Sequence, residues 1–271
     1  MRFLIAASTR DKAAMNIYDN LLEKYGFKET GLSFRGHSTL SSGDIILQKI
    51  DIDSIYASDL DKHFDVEGIV FATRHSSASG DSTLTVHVSG NPTSSADYGG
   101  NPKEVAWAWP QRMKPALVKL TELAPSLKAD YKVSFEATHH GPSELKVPVW
   151  FVEIGSSESC WTDKEAGEAV SEAIWASVNS PSTGKSAVAF GGGHYAPTHS
   201  KVCLEQDIAI GHIIPKYAIN EVDEWMIRQI LQKTYGGAEV AVIDWKGLPG
   251  PQRKRLLSTL NELGVTDVIK A

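Results

Sequence analysis

The chain has 271 residues, which is enough for one large hydrophobic core or two small ones, and we predict a single domain over residues 1–271. Its formal net charge of -6 excludes a generally basic surface, so any nucleic-acid partner has to meet a local group of cations. Cys160 and Cys203 are too few for a disulfide framework, and no apolar run has the length of a signal peptide core or a membrane span. We therefore expect a cytoplasmic protein with no membrane partner, and a monomer.

Short apolar runs alternate with stretches of helical period, which predicts an α/β fold with a largely parallel or mixed central sheet flanked by helices. In chain order, strands are predicted at residues 2–8, 44–50, 67–73, 82–88, 132–138, 147–155, 186–192, 208–214 and 239–245. Helices are predicted at residues 11–26, 116–123, 162–178, 220–236 and 251–264. Thr162 and Glu165 have the spacing of a capping box at the start of the third helix.

Residues 76–103 are rich in Ser, Gly, Asn and Pro around one strand, and we interpret them as an excursion from the sheet. Long connections in compact domains are often functional, so this segment is either a flap over a site or a set of long loops. The sequence leaves both interpretations open.

The stretch AVAFGGGHYAPTHS at residues 187–200 places three glycines after a buried strand. It is not a P-loop, because a strand and not a helix follows Gly184-Lys185-Ser186, and no acidic residue follows the next strand to hold a dinucleotide ribose. Open α/β sheets bind their ligands at such strand ends. We therefore predict that Gly191, Gly192 and Gly193 line a substrate site, where backbone N–H groups can approach the substrate closely and stabilise an oxyanion.

Histidines accompany the glycines and a second strand end. His194 and His199 follow the glycines, and His139 and His140 end the strand at 132–138. Glu153 is the only acid in an apolar strand, so its carboxylate needs a partner, a metal or a proton. If these strands are parallel neighbours, their ends place these side chains around one cleft. Such a cleft suits a zinc ion with an open position for water, and it suits equally well a metal-free general base held by Glu153.

Of the remaining histidines, only His75 is expected to be able to join this cleft, because it follows the strand at 67–73. We assign no function to the other four, which are His37, His63, His87 and His212.

Cations are concentrated in two places. Lys246, Arg253, Lys254 and Arg255 surround the start of the last predicted helix, and Arg112, Lys114 and Lys119 follow Trp107 and Trp109. Such groups can bind RNA phosphates beside a stacking aromatic ring, but solvated helix faces explain them equally well.

Three motifs in this order carry a family resemblance: ATHHGP at 137–142, VWFVEIGSS at 149–157 and FGGGHYAP at 190–197. With IAIGHIIPKYAI at 208–219, they are similar to the archaeal and plant type of D-aminoacyl-tRNA deacylase, over about residues 50–260. The resemblance implies hydrolysis of the ester between a D-amino acid and tRNA, removal of aldehyde-modified D-aminoacyl-tRNAs, zinc dependence, and a phosphorylase/hydrolase-like α/β fold.

The residues and the resemblance together give the expected site. We expect catalytic roles for His140, His194 and Glu153, and substrate contacts from Thr138, Gly141 and the three glycines. The expected zinc ligands are His139, His140, His194 and His199, and the expected tRNA contacts are Lys246, Arg253, Lys254 and Arg255. Two alternatives stay open: a metal-dependent peptidase or amidohydrolase on the same fold, and a non-catalytic module that binds RNA or a nucleoside.

Overall fold

A computed structural model describes residues 1–78 and 80–271, which form fourteen strands in three sheets and seven α-helices. The strands are β1 (Phe3–Ser8), β2 (Lys28–Phe34), β3 (His37–Ser42), β4 (Ile45–Ile50), β5 (Gly68–Arg74), β6 (Thr83–His87), β7 (Gly90–Asn91), β8 (Glu104–Val105), β9 (Lys132–Phe135), β10 (Val149–Gly155), β11 (Lys185–Phe190), β12 (Ile208–Ile214), β13 (Val240–Ile243) and β14 (Asp267–Lys270). The helices are α1 (Lys12–Lys24), α2 (Pro110–Leu123), α3 (Glu158–Trp161), α4 (Lys164–Asn179), α5 (Pro197–Glu205), α6 (Glu224–Gln232) and α7 (Gly250–Glu262).

The larger sheet has eight strands in the order β2-β3-β4-β1-β5-β10-β6-β9. Its centre is parallel, because β1 pairs in parallel with β4 and β5, and β5 with β10. The strands β1, β5 and β10 are buried along nearly their whole length, as their two-sided apolar sequences require. The strand β6 joins β10 antiparallel, so the sheet is mixed, and the predicted α/β fold class is confirmed.

The second sheet has four parallel strands in the order β12-β11-β13-β14. Alternate residues of its strands pack into different hydrophobic clusters. Ala187 and Ala189 of β11 belong to the main core on the larger sheet, whereas Val188 and Phe190 face a smaller cluster with α6 and α7. The helix α2 packs against α4, against β6 of the larger sheet and against β12 of the second sheet, and so joins the two sheets.

Three predicted helix starts are wrong. The helix α6 begins at Glu224, after its cap Asp223, and not at Asn220. The helix α2 begins at Pro110 instead of after Pro115, because Pro110 occupies the first position and Pro115 follows within the second turn, where it removes one hydrogen bond without ending the helix. The cap of α4 is Asp163 and not Thr162, since the Asp163 carboxylate accepts the Glu165 N–H at 3.0 Å.

The interpretation of residues 76–103 as an excursion from the sheet is also wrong for its central strand. This strand is β6, which lies inside the larger sheet between β10 and β9. Ser79, in the same segment, lies outside the described residues. The loop after β7 carries Tyr98 and reaches the backbone of Gly141, whose N–H donates to the Tyr98 carbonyl at 3.0 Å.

The strands that carry these groups are not parallel neighbours, so the condition stated for a shared cleft along one sheet edge is not met. The strand β6 separates β9 from β10 and runs parallel to β9 but antiparallel to β10, while β11 belongs to the other sheet. Side chains from these strands therefore meet across the junction of two sheets and not along one edge. In the described part of the chain, no helix combines the length and the apolar character needed to cross a bilayer.

Candidate functional site

Two carboxylates and five histidines form one cluster at the junction of the sheets. Its members come from the ends of β5, β6, β9 and β11 and from within β10, and they are His75, His87, Glu136, His139, His140, Glu153 and His194. Main-chain bonds hold two of these segments together, because the Ala137 N–H donates to the His194 carbonyl at 2.8 Å. The cluster is therefore positioned by the backbone of both sheets.

Glu136 follows β9 and contacts three histidines of the cluster, one of which, His194, follows β11 of the second sheet. Its carboxylate lies 3.0 Å from His194 Nε2, 3.1 Å from His75 Nδ1 and 3.6 Å from His139 Nε2. Burial would raise the pKa of Glu136, but contacts with His194 and His75 outweigh it and hold this pKa well below its usual range. Neither oxygen of this buried carboxylate has another hydrogen-bond partner among the described residues, so the surrounding histidines are the groups that stabilise its charge.

Glu153 is buried on the larger sheet and contacts two histidines at 3.4 Å, His75 through Nδ1 and His87 through Nε2. Burial lowers the pKa of both imidazoles, but the carboxylates outweigh it, raising the pKa of His75 to about 11 and that of His87 above its usual value. The buried carboxylate has thus found cationic partners, as the sequence required. Stacking of His87 on Phe151, with ring centroids 5.1 Å apart, fixes the orientation of its imidazole.

His139 and His140 are held as neutral imidazoles. Burial, together with the positive charge on His87, lowers the pKa of His139 well below its usual range and that of His140 to about 4. A backbone carbonyl lies 2.8 Å from His139 Nδ1 and another 2.6 Å from His140 Nδ1. Carbonyls only accept, so Nδ1 carries the proton in both rings and Nε2 keeps its lone pair.

Three sets of these side chains bring their ligand atoms within 4.8 Å of one another: His87 with His139 and His140, His75 with Glu136 and His194, and His87 with both glutamates. All three imidazoles of the first set have Nδ1 beside a backbone carbonyl, at 3.2 Å from Val88 in the case of His87. Histidines that bind zinc are commonly oriented in this way. The chemistry of the donors therefore fits a metal ion.

A cavity of about 470 Å³ opens onto the cluster. Five cluster members line it, namely His75, His139, His140, Glu153 and His194. A second cavity of about 170 Å³ shares His139 and His140 with the first. Tyr98 lies between the two and lines both.

The predicted site residues fall into two groups. The cluster contains four of them, namely His139, His140, Glu153 and His194. The carboxylate beside His194 is that of Glu136, whereas Glu153 contacts His75 and His87. His199 lies elsewhere: it is buried in α5, and its Nε2 is 3.2 Å from the carbonyl of Gly191.

The predicted substrate contacts are also divided. Thr138 lines the smaller cavity, while Gly141 packs against the loop of Tyr98 so closely that a Cβ would lie 2.3 Å from the Gly100 nitrogen. The three glycines at 191–193 are not among the described residues that line either cavity. The Gly191 N–H already donates to the Ile214 carbonyl at 2.8 Å.

The predicted cations are not equally free to bind RNA. Arg253 donates 2.6 Å to the Leu248 carbonyl and lies over the ring of Trp245, and Arg255 donates to the Ile219 carbonyl. Lys246 and Lys254 are exposed. Arg112 is buried under Phe3 and Trp109, so that residue cannot belong to a surface patch.

Sequence reasoning missed Glu136 and His87 and mentioned His75 only as a neighbour. The sequence features of these residues are visible but not specific. Glu136 is an acid at the buried end of β9, just before His139-His140, and His87 alternates with apolar residues in β6. What could not be seen is that β6 lies between β9 and β10, which brings the three residues together.

Buried glutamates that hold histidines beside an open cavity, within an α/β fold, are typical of an enzyme that uses acid–base or metal-assisted catalysis. A family model described as D-aminoacyl-tRNA deacylase matches residues 62–268. The chain is 42% identical over 268 residues to the D-aminoacyl-tRNA deacylase of Pyrococcus furiosus, covering 97% of each chain, and 38% identical to that of Methanosarcina mazei, covering 97% of this chain and 91% of the relative. The protein belongs to the D-aminoacyl-tRNA deacylase family.

The fold is also found in a solved structure. The crystal structure of a conserved protein of unknown function superimposes with a TM-score of 0.91 and 34% identity, covering 99% of this chain and 95% of that one. The two proteins therefore share their architecture over nearly their whole length.

Proposed function

We propose that the protein hydrolyses the ester bond between a D-amino acid and the 3′ end of tRNA. The observation that carries this proposal is the carboxylate–histidine cluster on the wall of the larger cavity, in a chain that matches relatives of this name over 97% of its length. A water has to be activated beside the ester carbonyl, and the ribose oxygen of the tRNA has to receive a proton as it leaves. The cluster supplies groups for both steps.

His194 is the proposed general base. Its Nε2 faces Glu136 at 3.0 Å, so the carboxylate holds the Nε2 proton and leaves Nδ1 with a lone pair. The water oxygen bonds to the ester carbon while its proton passes to His194. The bond from that carbon to the ribose oxygen then breaks, and His194 returns the proton to this oxygen. His75, in contact with both glutamates, balances their negative charge.

We further propose a zinc site at His87, His139 and His140, whose Nδ1 atoms all face backbone carbonyls; zinc would have to displace the proton that His87 Nε2 shares with Glu153. Three histidines with an open position form a known kind of catalytic zinc site. When bound, zinc supplies a Lewis acid that polarises the ester carbonyl and acidifies water. This differs from the ligand set expected from the sequence, because His199 lies outside the cluster and His194 faces Glu136.

For the tRNA body we propose contacts from Lys246 and Lys254, which are exposed beside α7. We also propose that the protein acts as a monomer, and that it does so in the cytoplasm, where tRNA is charged. Size-exclusion chromatography with light scattering tests the oligomeric state. A dimer mass would contradict it.

The test of the function is release of amino acid from charged tRNA. Wild-type protein is expected to release D-tyrosine from D-tyrosyl-tRNA and to leave L-tyrosyl-tRNA intact. Cleavage of D-amino acid amides or peptides without tRNA would favour the peptidase alternative, and binding of tRNA without release would favour the RNA-binding module.

Zinc is tested by metal analysis of the purified protein, which does not depend on activity. We expect about one zinc per chain in wild type and a loss of most of it in His139→Ala and His140→Ala, as removal of a ligand requires. His199→Gln serves as the comparison, because His199 was expected to bind zinc from the sequence and lies outside the cluster. Equal zinc in all of these variants would contradict the proposed ligands.

A further inference from the structure

The two cavities share one wall. His139 and His140 line both, and Tyr98 separates them on the outside. An ester placed at these histidines has two substituents, the amino-acid side chain on the carbonyl side and the nucleoside on the oxygen side. Each cavity is therefore open to one substituent.

Volume distinguishes the cavities. Pockets for ligands of nucleoside size occupy about 300–1,000 Å³, and the larger cavity, at about 470 Å³, is in this range. The smaller one has about 170 Å³, which is too little for a nucleoside but close to the ~150 Å³ that suffices to bind benzene. It has room for an aromatic side chain.

The walls of the smaller cavity agree with this assignment. Its apolar surface comes from Tyr98, Tyr217, Pro92, Pro215 and Ala218. The polar residues Asn91, Thr93, Ser95, Asp97 and Thr138 line the rest of it, beside His139 and His140. Tyr98 and Tyr217 are 69% and 60% exposed, so their rings are accessible to a ligand. Aromatic and apolar walls of this kind suit a hydrocarbon or aromatic side chain.

The larger cavity has polar groups that are suited to a ribose. The Asp11 carboxylate on its wall is already used, since it accepts the N–H groups of Ala13, Ala14 and Arg74. Asp53 lines the same wall, and the adjacent Ser54 hydroxyl is buried without a hydrogen bond within the described part of the chain. Carboxylates commonly accept the hydroxyl of a ribose, and the terminal ribose of a charged tRNA has one free hydroxyl beside the ester.

Tyr98 is fixed well enough to act as the partition. Its carbonyl accepts the Gly141 N–H at 3.0 Å, and Gly99, which follows it, has a φ of +81 and no space for a Cβ, because Ile55 O would lie 2.3 Å away. The loop of Tyr98 is thus packed onto the backbone that carries His139 and His140. An exposed ring on a rigid backbone is preorganised for a ligand.

We propose that the smaller cavity binds the side chain of the D-amino acid and that Asp53 and Ser54 in the larger cavity bind the terminal ribose. This inference rests on the proposed function and adds which residues set the range of amino acids. Thr93, which is partly buried in the wall of the smaller cavity, and Tyr217 become specificity-determining residues.

The experiment compares kcat/KM for D-tyrosine and D-alanine charged on the same tRNA, so that the nucleoside is identical. Thr93→Phe fills the smaller cavity and is expected to lower the ratio of kcat/KM for D-tyrosine to that for D-alanine by about tenfold or more. Asp53→Asn and Ser54→Ala are expected to lower both values by similar factors. Thr266→Phe, at an exposed position just before β14 that lines neither cavity, is the control.

Tyr217→Ala provides a second variant at an exposed ring, in case Thr93→Phe does not fold. Loss of the aromatic wall is expected to lower the same ratio by about threefold or more. The inference is overturned if the ratio of kcat/KM for D-tyrosine to that for D-alanine is unchanged in folded Thr93→Phe or Tyr217→Ala. It is also overturned if this ratio changes in Asp53→Asn instead. In both cases the deacylase function stands. If wild type releases no D-tyrosine, the proposed function fails and this inference fails with it.

Discussion

At the scale of single residues, the proposed chemistry depends on His140 and His194. We expect His140→Ala and His194→Ala each to lower the rate of D-tyrosine release by roughly a hundredfold or more, because a ligand or the general base is removed. Initial rates on D-tyrosyl-tRNA measure this, with His37→Ala on β3, the second strand from the edge of the larger sheet, as control. Rates near wild type in both variants would remove these residues from the reaction.

His212 makes the stability of the fold depend on pH. It is fully buried in β12, and burial lowers its pKa to about 3, against 6.5 for the free side chain. Below pH 6.5 His212 becomes protonated in the unfolded chain but stays neutral in the folded chain. The free energy of unfolding therefore decreases as the pH falls. From pH 6.5 to pH 5 the loss from this residue is about 2 kcal/mol.

Urea unfolding at pH 7 and pH 5 checks this expectation. His212→Gln removes the titrating group and should show a smaller drop in unfolding free energy between the two pH values than wild type does. His37→Gln, at a partly exposed site, should behave as wild type does. An equal drop in all three proteins would mean that other groups cause the acid sensitivity.

About half of the cluster is predictable from residues alone. His139, His140, Glu153 and His194 stand out because imidazoles follow strand ends and because an acid interrupts an apolar strand. Glu136 and His87 do not, since a single polar residue at a strand end is usually a solvated one. Only the pairing of β6 with both neighbours makes them members of the site.

At the scale of elements, the glycine loop between β11 and α5 is constrained by its backbone. Gly192 has a φ of +79, so Gly192→Val is expected to lower the unfolding free energy by at least about 1 kcal/mol. Gly193 has ordinary dihedrals, and its added Cβ would meet only Tyr195 O at 3.6 Å, so Gly193→Val should be tolerated better. If Gly192 lined the substrate site, as predicted from the sequence, Gly192→Val would damage activity more than stability. Thermal unfolding and initial rates of the two variants distinguish these outcomes.

Near the start of α7, Arg253 and Arg255 donate to backbone carbonyls, whereas Lys246 and Lys254 are exposed and can contact phosphates. Lys246→Glu with Lys254→Glu should raise KM for charged tRNA and reduce the dependence of binding on salt, by about one unit of slope for each phosphate that a lysine no longer neutralises. D-tyrosyl-adenosine lacks the tRNA body and should be unaffected. If both substrates suffer equally, the cleft has been disturbed, and if neither does, the tRNA body binds elsewhere.

Elements with apolar sequences were predictable, and polar ones were not. All nine predicted strands are present, whereas β2 and β3 were missed because they form an outer hairpin with few buried residues. The helix α5 was missed because its residues are mostly polar, although Pro197 at its first position is a typical helix start. Burial pattern is the main signal in a sequence, and edge elements lack it.

At the scale of the whole molecule, the two sheets share one core. Because β11 places residues in both hydrophobic clusters and α2 packs between the sheets, we expect one cooperative unfolding transition. Urea transitions followed by tryptophan fluorescence and by far-UV circular dichroism should coincide. Two separate midpoints would instead mean that the chain contains two domains.

Two main-chain hydrogen bonds join the end of β9 and the segment after it to the segment after β11, and they affect which substitutions the site can accept. The Ala137 N–H to His194 carbonyl bond and the Ala196 N–H to Phe135 carbonyl bond, at 2.8 and 2.9 Å, involve no functional side chain. Their geometry persists whichever residues occupy positions 136 and 194. Substitutions during divergence, or in a laboratory redesign, can therefore replace one reactive group at a time while the spacing of the others is inherited from the peptide backbone.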